Sequence, residues 1–273
     1  MSRRKPGTMT SVPEGHTIHR AARDQMALLG KEPLAVSSPQ GRFSDGAALV
    51  DGHALEGIDA HGKHLFYEFA SGDCVHVHLS LFGKFRTHAG RPPVPRDTVR
   101  MRFGNADSTL DLTGPTACEI LNEPGREKLL ARLGPDPLRQ DADPEKFMTR
   151  VGRSRAPIGG LLMDQSVIAG VGNVYRAEAL FVCGIHPERE GRSLSTDELT
   201  ELWEVTTLML TEGVKRGRIV TVDPKEAGKP RSRMRRGERT YAYKRPNCLR
   251  CESAIRRWPV ANRPMYACEG CQI

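Results

Sequence analysis

The sequence lacks any run of about 18 to 20 apolar residues, the length that a membrane-spanning helix needs. Its opening, MSRRKPGTMTS, is basic but has no apolar core after it, so it is not a secretory signal. No internal repeat is present, which argues against a repeat architecture. Apolar residues make up 38% of the 273 residues and charged residues 27%, which is typical of a soluble globular protein of two domains with room for a small extra module.

Cysteine is sparse along most of the chain and then concentrated at its end. Cys74, Cys118 and Cys183 stand alone among apolar residues, and we predict that they are reduced and buried. The other four of the seven cysteines form two Cys-X-X-Cys pairs near the C-terminus. This distribution indicates metal binding in a reducing cytosol and argues against a disulfide framework.

Positive charge is in excess, with 41 Lys and Arg against 33 Asp and Glu and a net charge of +8. Such a balance favours a polyanionic partner, of which nucleic acid is the simplest. Charge alone does not decide the point, because many basic proteins never bind DNA.

Hydrophobic spacing divides the chain into a β-rich first part and a helical second part. A helix is predicted from Glu14 to Lys31, followed by β-structure from Pro33 to about Leu121, with strands such as Leu65–Phe69 and Cys74–Leu81. Pro144–Glu212 has helical spacing. Further strands are predicted between Val99 and Leu112, with a turn at residues 104–107.

A capping box, Ser195 with Glu198, opens the longest predicted helix. Its expected buried face consists of Leu199, Leu202, Val205, Leu208 and Met209. Residues 223–247 are rich in Arg and Lys and poor in apolar residues, so we predict a solvated, mobile loop that orders in part on a phosphate backbone.

The cysteine pairs are Cys248-Leu-Arg-Cys251 and Cys268-Glu-Gly-Cys271, separated by 16 residues, 252–267. Four thiolates at this spacing complete a tetrahedral zinc shell and leave no open position for chemistry. We therefore predict one structural Zn²⁺ that folds a small module. A redox role is disfavoured, because there are two pairs and no βαβ context.

Three other stretches have two interpretations each. Pro13-Glu14 alone indicates only a helix start. Leu162–Leu180 reads as helix, glycine-rich turn and helix, which suits either a phosphate at a helix N-terminus or glycines used for tight packing. His76 and His78 share one strand face and could bind a metal, but no third ligand is evident and we predict that they do not.

Together these pieces resemble the formamidopyrimidine-DNA glycosylase / endonuclease VIII family, over most of the chain. Val12-Pro13-Glu14 is similar to the family's initial Met-Pro-Glu, and His61-Gly62-Lys63 to its Arg-Gly-Lys turn. Asp164–Pro187 is similar to the helix–two-turns–helix element, with Asn173 as a phosphate ligand and Glu178 as an acidic residue. Arg263 falls where the zinc-finger arginine belongs, and Cys268-Glu-Gly-Cys271-Gln272 is similar to the family's ending.

The resemblance implies an α+β fold with an N-terminal β-sandwich and flanking helix, a C-terminal helical domain with the helix–two-turns–helix motif, and a β-hairpin zinc finger. The expected segments are a leader (1–12), a catalytic sandwich domain (13–138), a DNA-binding helical domain (139–222), a basic loop (223–247) and a zinc finger (248–273).

The resemblance also implies a base-excision-repair enzyme that is both DNA glycosylase and AP lyase. Pro13 would be the amine nucleophile that forms a Schiff base with the sugar, Glu14 its acid/base partner, and Lys63 a helper at the DNA phosphate. Strand cleavage by β/δ-elimination follows. The expected partner is damaged double-stranded DNA, bound by a monomer in the bacterial cytoplasm, at the nucleoid, with no membrane involved.

Lesion preference is indicated by His78-Leu79-Ser80-Leu81-Phe82-Gly83, which resembles the endonuclease VIII form of the loop that fills the gap left by an extruded nucleotide. Ser80, Leu81 and Phe82 would be the wedge. The Asp-Pro-Arg-Arg-Phe loop of the 8-oxoguanine branch is missing from the sequence. Oxidised pyrimidines are therefore favoured. The alternatives are an 8-oxoguanine/formamidopyrimidine glycosylase and a non-catalytic zinc protein that binds DNA.

One departure from the family pattern concerns the nucleophile. Pro13 follows twelve residues, so its nitrogen in the full chain is an amide without a nucleophilic lone pair. Our hypothesis is that Met1–Ser11 is a mis-assigned leader and that Val12 is read as the initiator methionine, which is then removed before Pro13.

Overall fold

The structure is a computed structural model that describes residues 13–273, so the predicted leader lies outside the described residues. Two compact units are present: one contains Pro13 and Ile18–Leu130, the other Glu14–Thr17 and Ala131–Ile273. The second unit begins at Ala131, before the predicted boundary after Leu138. The reason is that the turn at Gly134 and Pro135 is hydrogen-bonded to residues of the second unit, Gly134 N–H to Gln165 O at 2.8 Å and Ala169 N–H to Pro135 O at 3.0 Å.

The first unit contains two four-stranded antiparallel sheets, in the orders β1-β6-β7-β5 and β2-β3-β4-β8. Its strands are β1 (Ala35–Ser37), β2 (Leu55–His61), β3 (His64–Phe69), β4 (Cys74–His78), β5 (Lys84–Ala89), β6 (Val99–Gly104), β7 (Ser108–Thr113) and β8 (Ala117–Leu121). Its helices are α1 (Gly15–Leu29, whose first three residues count with the second unit), α2 (Ser44–Val50) and α3 (Glu123–Leu130).

One apolar core joins the two sheets and α1. Alternate residues such as Leu65 and Val77 point into it from one sheet, and Phe103 and Leu112 enter it from the other. From α1, Ile18 belongs to the same core. This arrangement confirms the predicted sandwich with a flanking helix.

Two details of the first unit differ from the prediction. Helix α2 lies inside the stretch predicted to be β, and it buries Ala47 and Val50 in the core. The strand predicted to reach Leu81 ends at His78, because Ser80 adopts a left-handed φ of 54° and the Gly83 N–H bonds back to Leu79 O at 2.9 Å.

The second unit is mainly helical. Its elements are α4 (Pro144–Gly152), α5 (Ile158–Leu161), α6 (Asn173–Val182), α7 (Thr196–Arg216), α8 (Pro224–Ala227), β9 (Arg256–Val260) and β10 (Arg263–Ala267). The Ser195–Glu198 capping box is present, as predicted. Leu199 and Leu202 are buried, as predicted. The placement of Leu208 on the buried face was wrong, since its side chain is 63% exposed, and the helix buries Leu210 as well.

The basic segment 223–247 is not the solvated loop that its composition predicts. It contains α8 and two short 3₁₀ turns, and it buries Met234, Tyr241 and Ala242. A buried polar contact from α6, described below, holds it against the helical core. Among the residues described, no helix has both the length and the apolar character to cross a membrane.

Candidate active site and nucleic-acid interface

The N-terminus of α6 holds the Glu14 carboxylate. Glu14 Oε1 accepts the Val174 N–H at 2.9 Å, and Oε2 accepts the N–H groups of Gly172 at 3.1 Å and Tyr175 at 3.4 Å. Glu14 is 1% exposed. Amides of a first helical turn carry the positive end of the helix dipole, so this is the place in α6 that best accommodates a carboxylate.

Glycine is required where Glu14 meets α6. A Cβ added at Gly172 would lie 2.5 Å from the Glu14 carboxyl carbon, and one added at Gly15 would lie 2.9 Å from Gly170 Cα. The Gly15 N–H donates to Gly170 O at 2.8 Å. The glycine-rich stretch therefore permits close packing within the protein. The residue packed against it, Glu14, directly follows Pro13.

Asn173, the first residue of α6, links that helix to the hairpin formed by β9 and β10. Its Nδ2 donates to Pro264 O at 3.0 Å, and its Oδ1 accepts from the Arg176 guanidinium. Arg263 begins β10 next to this contact and is exposed. Between the two strands, the turn residues Ala261 and Asn262 both have left-handed φ angles, as a tight two-residue hairpin requires.

Arg176 is a buried connector that the sequence prediction missed. Its side chain is fully buried, and it donates to Gly159 O at 3.0 Å, Val260 O at 3.3 Å and Pro264 O at 3.4 Å. Burial lowers its pKa to about 10, still well above neutral, so it remains a cation. The signal available in the sequence was a single basic residue in the helix of Tyr175–Val182, whose other residues are apolar except Glu178.

Glu178 makes the buried hydrogen bonds that hold the basic segment 223–247 against the helical core. It is fully buried and accepts the N–H groups of Tyr241 at 2.6 Å, Ala242 at 2.9 Å and Tyr243 at 2.8 Å, together with the Thr221 hydroxyl. Burial raises its pKa, and these hydrogen bonds oppose the rise. The sequence marked Glu178 as an acidic residue of the motif but gave no indication of its partners.

The four C-terminal cysteines come together, with their sulfur atoms all within 4.8 Å of one another. Cys248 and Cys271 Sγ are 3.7 Å apart, and Cys251 and Cys268 Sγ are 3.3 Å apart. A tetrahedral zinc with Zn–S bonds of about 2.3 Å places its sulfurs roughly 3.8 Å apart. The donor set and its spacing therefore fit a structural metal.

Gln272 joins the cysteine cluster to the helical core. It is 2% exposed, its Oε1 accepts the Cys268 N–H at 2.9 Å, and its Nε2 donates to Ile185 O at 2.9 Å.

The remaining predicted site residues lie in the first unit. Lys63 occupies the two-residue turn between β2 and β3, where Gly62 supplies a left-handed φ of 59°. Ser80, Leu81 and Phe82 follow β4 in a turn of their own. Phe82 is 81% exposed and Leu81 is 41% exposed, which is unusual for apolar side chains of this size in one short turn.

The family is decided by comparison with known proteins. A family model for the formamidopyrimidine-DNA glycosylase N-terminal domain matches residues 12–116, and one for the H2TH domain of the same enzymes matches residues 133–224. "Endonuclease 8 1" of Mycobacterium tuberculosis (strain ATCC 25618 / H37Rv) is 44% identical over 268 residues, which cover 96% of this chain and 100% of that protein. The chain belongs to the formamidopyrimidine-DNA glycosylase family.

More distant members agree with this assignment. The formamidopyrimidine-DNA glycosylase of Thermomicrobium roseum is 29% identical over 295 residues, covering 97% of this chain and 99% of that protein. The crystal structure of Lactococcus lactis formamidopyrimidine-DNA glycosylase bound to DNA with an AP site has a TM-score of 0.78 at 23% identity, covering 95% of this chain and 99% of that one. The predicted fold is thereby confirmed.

Replacing Glu178 with Ala should destabilise the second unit by about 3 kcal/mol or more, because three buried amides would lose their acceptor and each costs about 1–3 kcal/mol. The measurement is chemical unfolding with hydrogen exchange of the Tyr241–Tyr243 amides, which should exchange faster. Glu204→Ala, on the exposed face of α7, is the control. Equal stability of the two variants would contradict this role.

Proposed function

We propose that the chain is a bifunctional DNA glycosylase and AP lyase of base excision repair, with Pro13 as its nucleophile and oxidised pyrimidines as its main substrates. The observation that carries this proposal is the position of Glu14, which directly follows Pro13 and whose carboxylate accepts three backbone N–H groups at the N-terminal end of α6. The match to the family model of the N-terminal domain begins at residue 12, just before the proposed nucleophile.

The proposed reaction needs the target nucleotide outside the duplex stack, because its sugar is otherwise unreachable. The Pro13 nitrogen attacks C1′, the bond from C1′ to the base breaks, and the base leaves with that electron pair and takes up a proton. The attacking nitrogen loses its proton, the C1′–O4′ bond breaks as the iminium double bond forms, and the ring oxygen takes up a proton. Glu14 supplies a proton to the sugar ring oxygen or to the leaving base. The iminium acidifies the C2′ proton, and removal of that proton expels the 3′ phosphate. A second elimination releases the 5′ phosphate.

Several residues are assigned supporting roles in this proposal. Lys63, at the tip of its turn, assists at the phosphate beside the damaged nucleotide. Asn173 and Arg263, which belong to elements joined through Pro264 O, bind the phosphate backbone. An arginine presents donors in a fixed fork that matches phosphate oxygens.

The nucleophile must be an amine, and within a longer chain Pro13 is an amide. We infer that the active form begins at Pro13, with Met1–Ser11 a mis-assigned leader and Val12 read as the initiator methionine, which is then removed. An α-amino group has an ordinary pKa of about 7.7–8.0, so a useful fraction is neutral and nucleophilic near neutral pH.

Borohydride trapping tests this function. Protein that begins at Pro13 should form a covalent adduct with a duplex carrying thymine glycol, dihydrouracil or an abasic site, because borohydride reduces the Schiff base. The matched control is the same chain with residues 1–12 retained, which should form no adduct. Pro13→Gly in the shorter protein should also reduce trapping.

Two outcomes would overturn the proposal. Equal trapping by the long chain would place the amine elsewhere in the protein. DNA binding without any adduct from the chain that begins at Pro13 would support the rival interpretation, a non-catalytic zinc protein that binds DNA. Including 8-oxoguanine duplexes in the same series tests the alternative lesion class.

The preference for pyrimidines has two supports. The first is that the chain is 44% identical to a protein named "Endonuclease 8 1" but 29% identical to a formamidopyrimidine-DNA glycosylase. The second support is the exposed pair Leu81 and Phe82, which we propose enters the gap that the extruded nucleotide leaves. The backbone of this turn packs closely against Gly114, where an added Cβ would lie 2.9 Å from Phe82 O.

Phe82→Ala should slow base excision about 10- to 100-fold, because unstacking a base step costs a few kcal/mol that an inserted side chain helps to offset. Single-turnover excision of a pyrimidine lesion is the measurement. The control is Val94→Ala, which removes an apolar side chain that is 90% exposed on a loop of the same unit. Equal rates for the two variants would remove the wedge from the proposal.

We also propose that the cysteine cluster holds one Zn²⁺, which folds the hairpin module and takes no part in the reaction, since four thiolates fill its shell. Elemental analysis should find one zinc per chain in the wild type and in Cys183→Ser, and much less in Cys268→Ser. Full zinc content in Cys268→Ser would contradict this assignment. We further infer that the protein acts as a monomer on damaged double-stranded DNA in the bacterial cytoplasm.

A further inference from the structure

One face of the sheet β2-β3-β4-β8 carries histidines at the end where Lys63 lies. His64 is directly opposite His61 on one side and His78 on the other, so the three side chains share that face. The intervening residues Leu65 and Val77 point into the core instead. The next row on the same face consists of Asp59, Phe66, His76 and Glu119.

A hydrogen-bond chain runs across this face from β8 to the Lys63 turn. Glu119 Oε1 lies 3.0 Å from His76 Nδ1, and His76 Nε2 lies 2.9 Å from His64 Nδ1. A carboxylate can only accept, so His76 donates through Nδ1. His76 is 2% exposed, and burial lowers its pKa, although the bond to Glu119 opposes this. Neutral His76 therefore accepts through Nε2, and His64 donates through Nδ1.

This chain fixes where His64 can carry an extra proton. With Nδ1 committed to His76, an added proton resides on Nε2. The resulting imidazolium would be stabilised through His76 by the carboxylate of Glu119, which stays in contact with water at 55% exposure. A carboxylate often orients a single histidine ring through a hydrogen bond, and here the same effect passes through two histidine rings.

Besides Glu119 on β8, charged and titratable groups lie on the same face or at the adjoining turn. Asp59 and His61 belong to β2, Lys63 to the turn, and His78 to β4, where its ring stacks on His64 with centroids 4.6 Å apart.

A further cation comes from α3, where Arg126 lies over the Phe66 ring and pairs with Glu68 at 2.8 Å and Asp59 at 3.5 Å. The cations oppose a proton on His64, and the carboxylates favour it. A phosphate arriving at the Lys63 turn would add negative charge and shift this balance towards protonation.

We propose that His64, positioned by His76 and Glu119, takes up a proton when a DNA phosphate binds at the Lys63 turn, so that DNA binding is coupled to proton uptake. This inference rests on the proposed function only in placing a DNA phosphate at Lys63. By linkage, affinity for DNA falls as the pH rises from the pKa of His64 in the free protein to its higher pKa in the complex. A rise of about one pKa unit on binding corresponds to a tenfold loss of affinity across that window.

Calorimetric titration tests the coupling directly. Protein beginning at Pro13 is titrated at pH 7 with a duplex that carries a tetrahydrofuran abasic analogue, in buffers of different ionisation enthalpy. The dependence of the heat on the buffer gives the protons taken up per duplex. Wild type should take up more than His64→Gln, by up to about one proton. His53→Gln, which changes an exposed histidine outside this face, should match the wild type.

Two further variants separate charge from geometry. Glu119→Gln keeps an oxygen that accepts from His76 but removes the negative charge, so uptake should be intermediate. His76→Phe removes the chain and should match His64→Gln. Because His76 is buried, His64→Gln is the deciding variant, and its thermal transition should match that of the wild type.

The outcomes are distinct. Uptake by His64→Gln equal to that of the wild type overturns the inference, even if borohydride trapping succeeds. Failed trapping with uptake that still depends on His64 removes the proposed chemistry and leaves the coupling standing. Failure of the protein to bind the duplex at all contradicts both.

Discussion

The contact between Glu14 and the first turn of α6 is the constraint on which the functional interpretation depends. Three amides converge on one carboxylate, and Gly172 is small enough to let it approach. This fixes the backbone of the residue that follows Pro13. Proline has one ring nitrogen and little conformational freedom, so holding its neighbour limits where that nitrogen can go. A nucleophile held in this way would meet a sugar with little further ordering.

Buried polar groups hold several segments of the second unit in place. Arg176 and Glu178 are both fully buried on α6, one bonded to the hairpin and the other to the basic segment. Gln272 makes a third such link, from the cysteine cluster to the core. Each connects a segment with little apolar surface of its own to the helical core. Buried polar partners with fixed geometry define a single arrangement, at the cost that losing either partner leaves the other unsatisfied.

Much of the architecture could be predicted from the sequence, because it depends on local rules. A few adjacent residues are enough to predict a strand from its alternation, the start of α7 from its capping box, and a metal site from the paired cysteines. Helix α2 was missed because it is short and lies among strands. The course of the basic segment depends on Glu178, which is 63 residues before Tyr241, and no spacing rule connects such distant residues. The hydrogen-bond chain through His64 and His76 likewise appears only once β3, β4 and β8 are in register.

The most direct test of this account is to locate the covalent bond. The reduced adduct between DNA and the protein that begins at Pro13 would be digested with nuclease and trypsin, and the peptide that retains the sugar remnant sequenced by mass spectrometry. We predict that the remnant lies on the peptide Pro13–Arg20, attached to the Pro13 nitrogen. A remnant on the peptide that contains Lys63, or on any other amine, would contradict it.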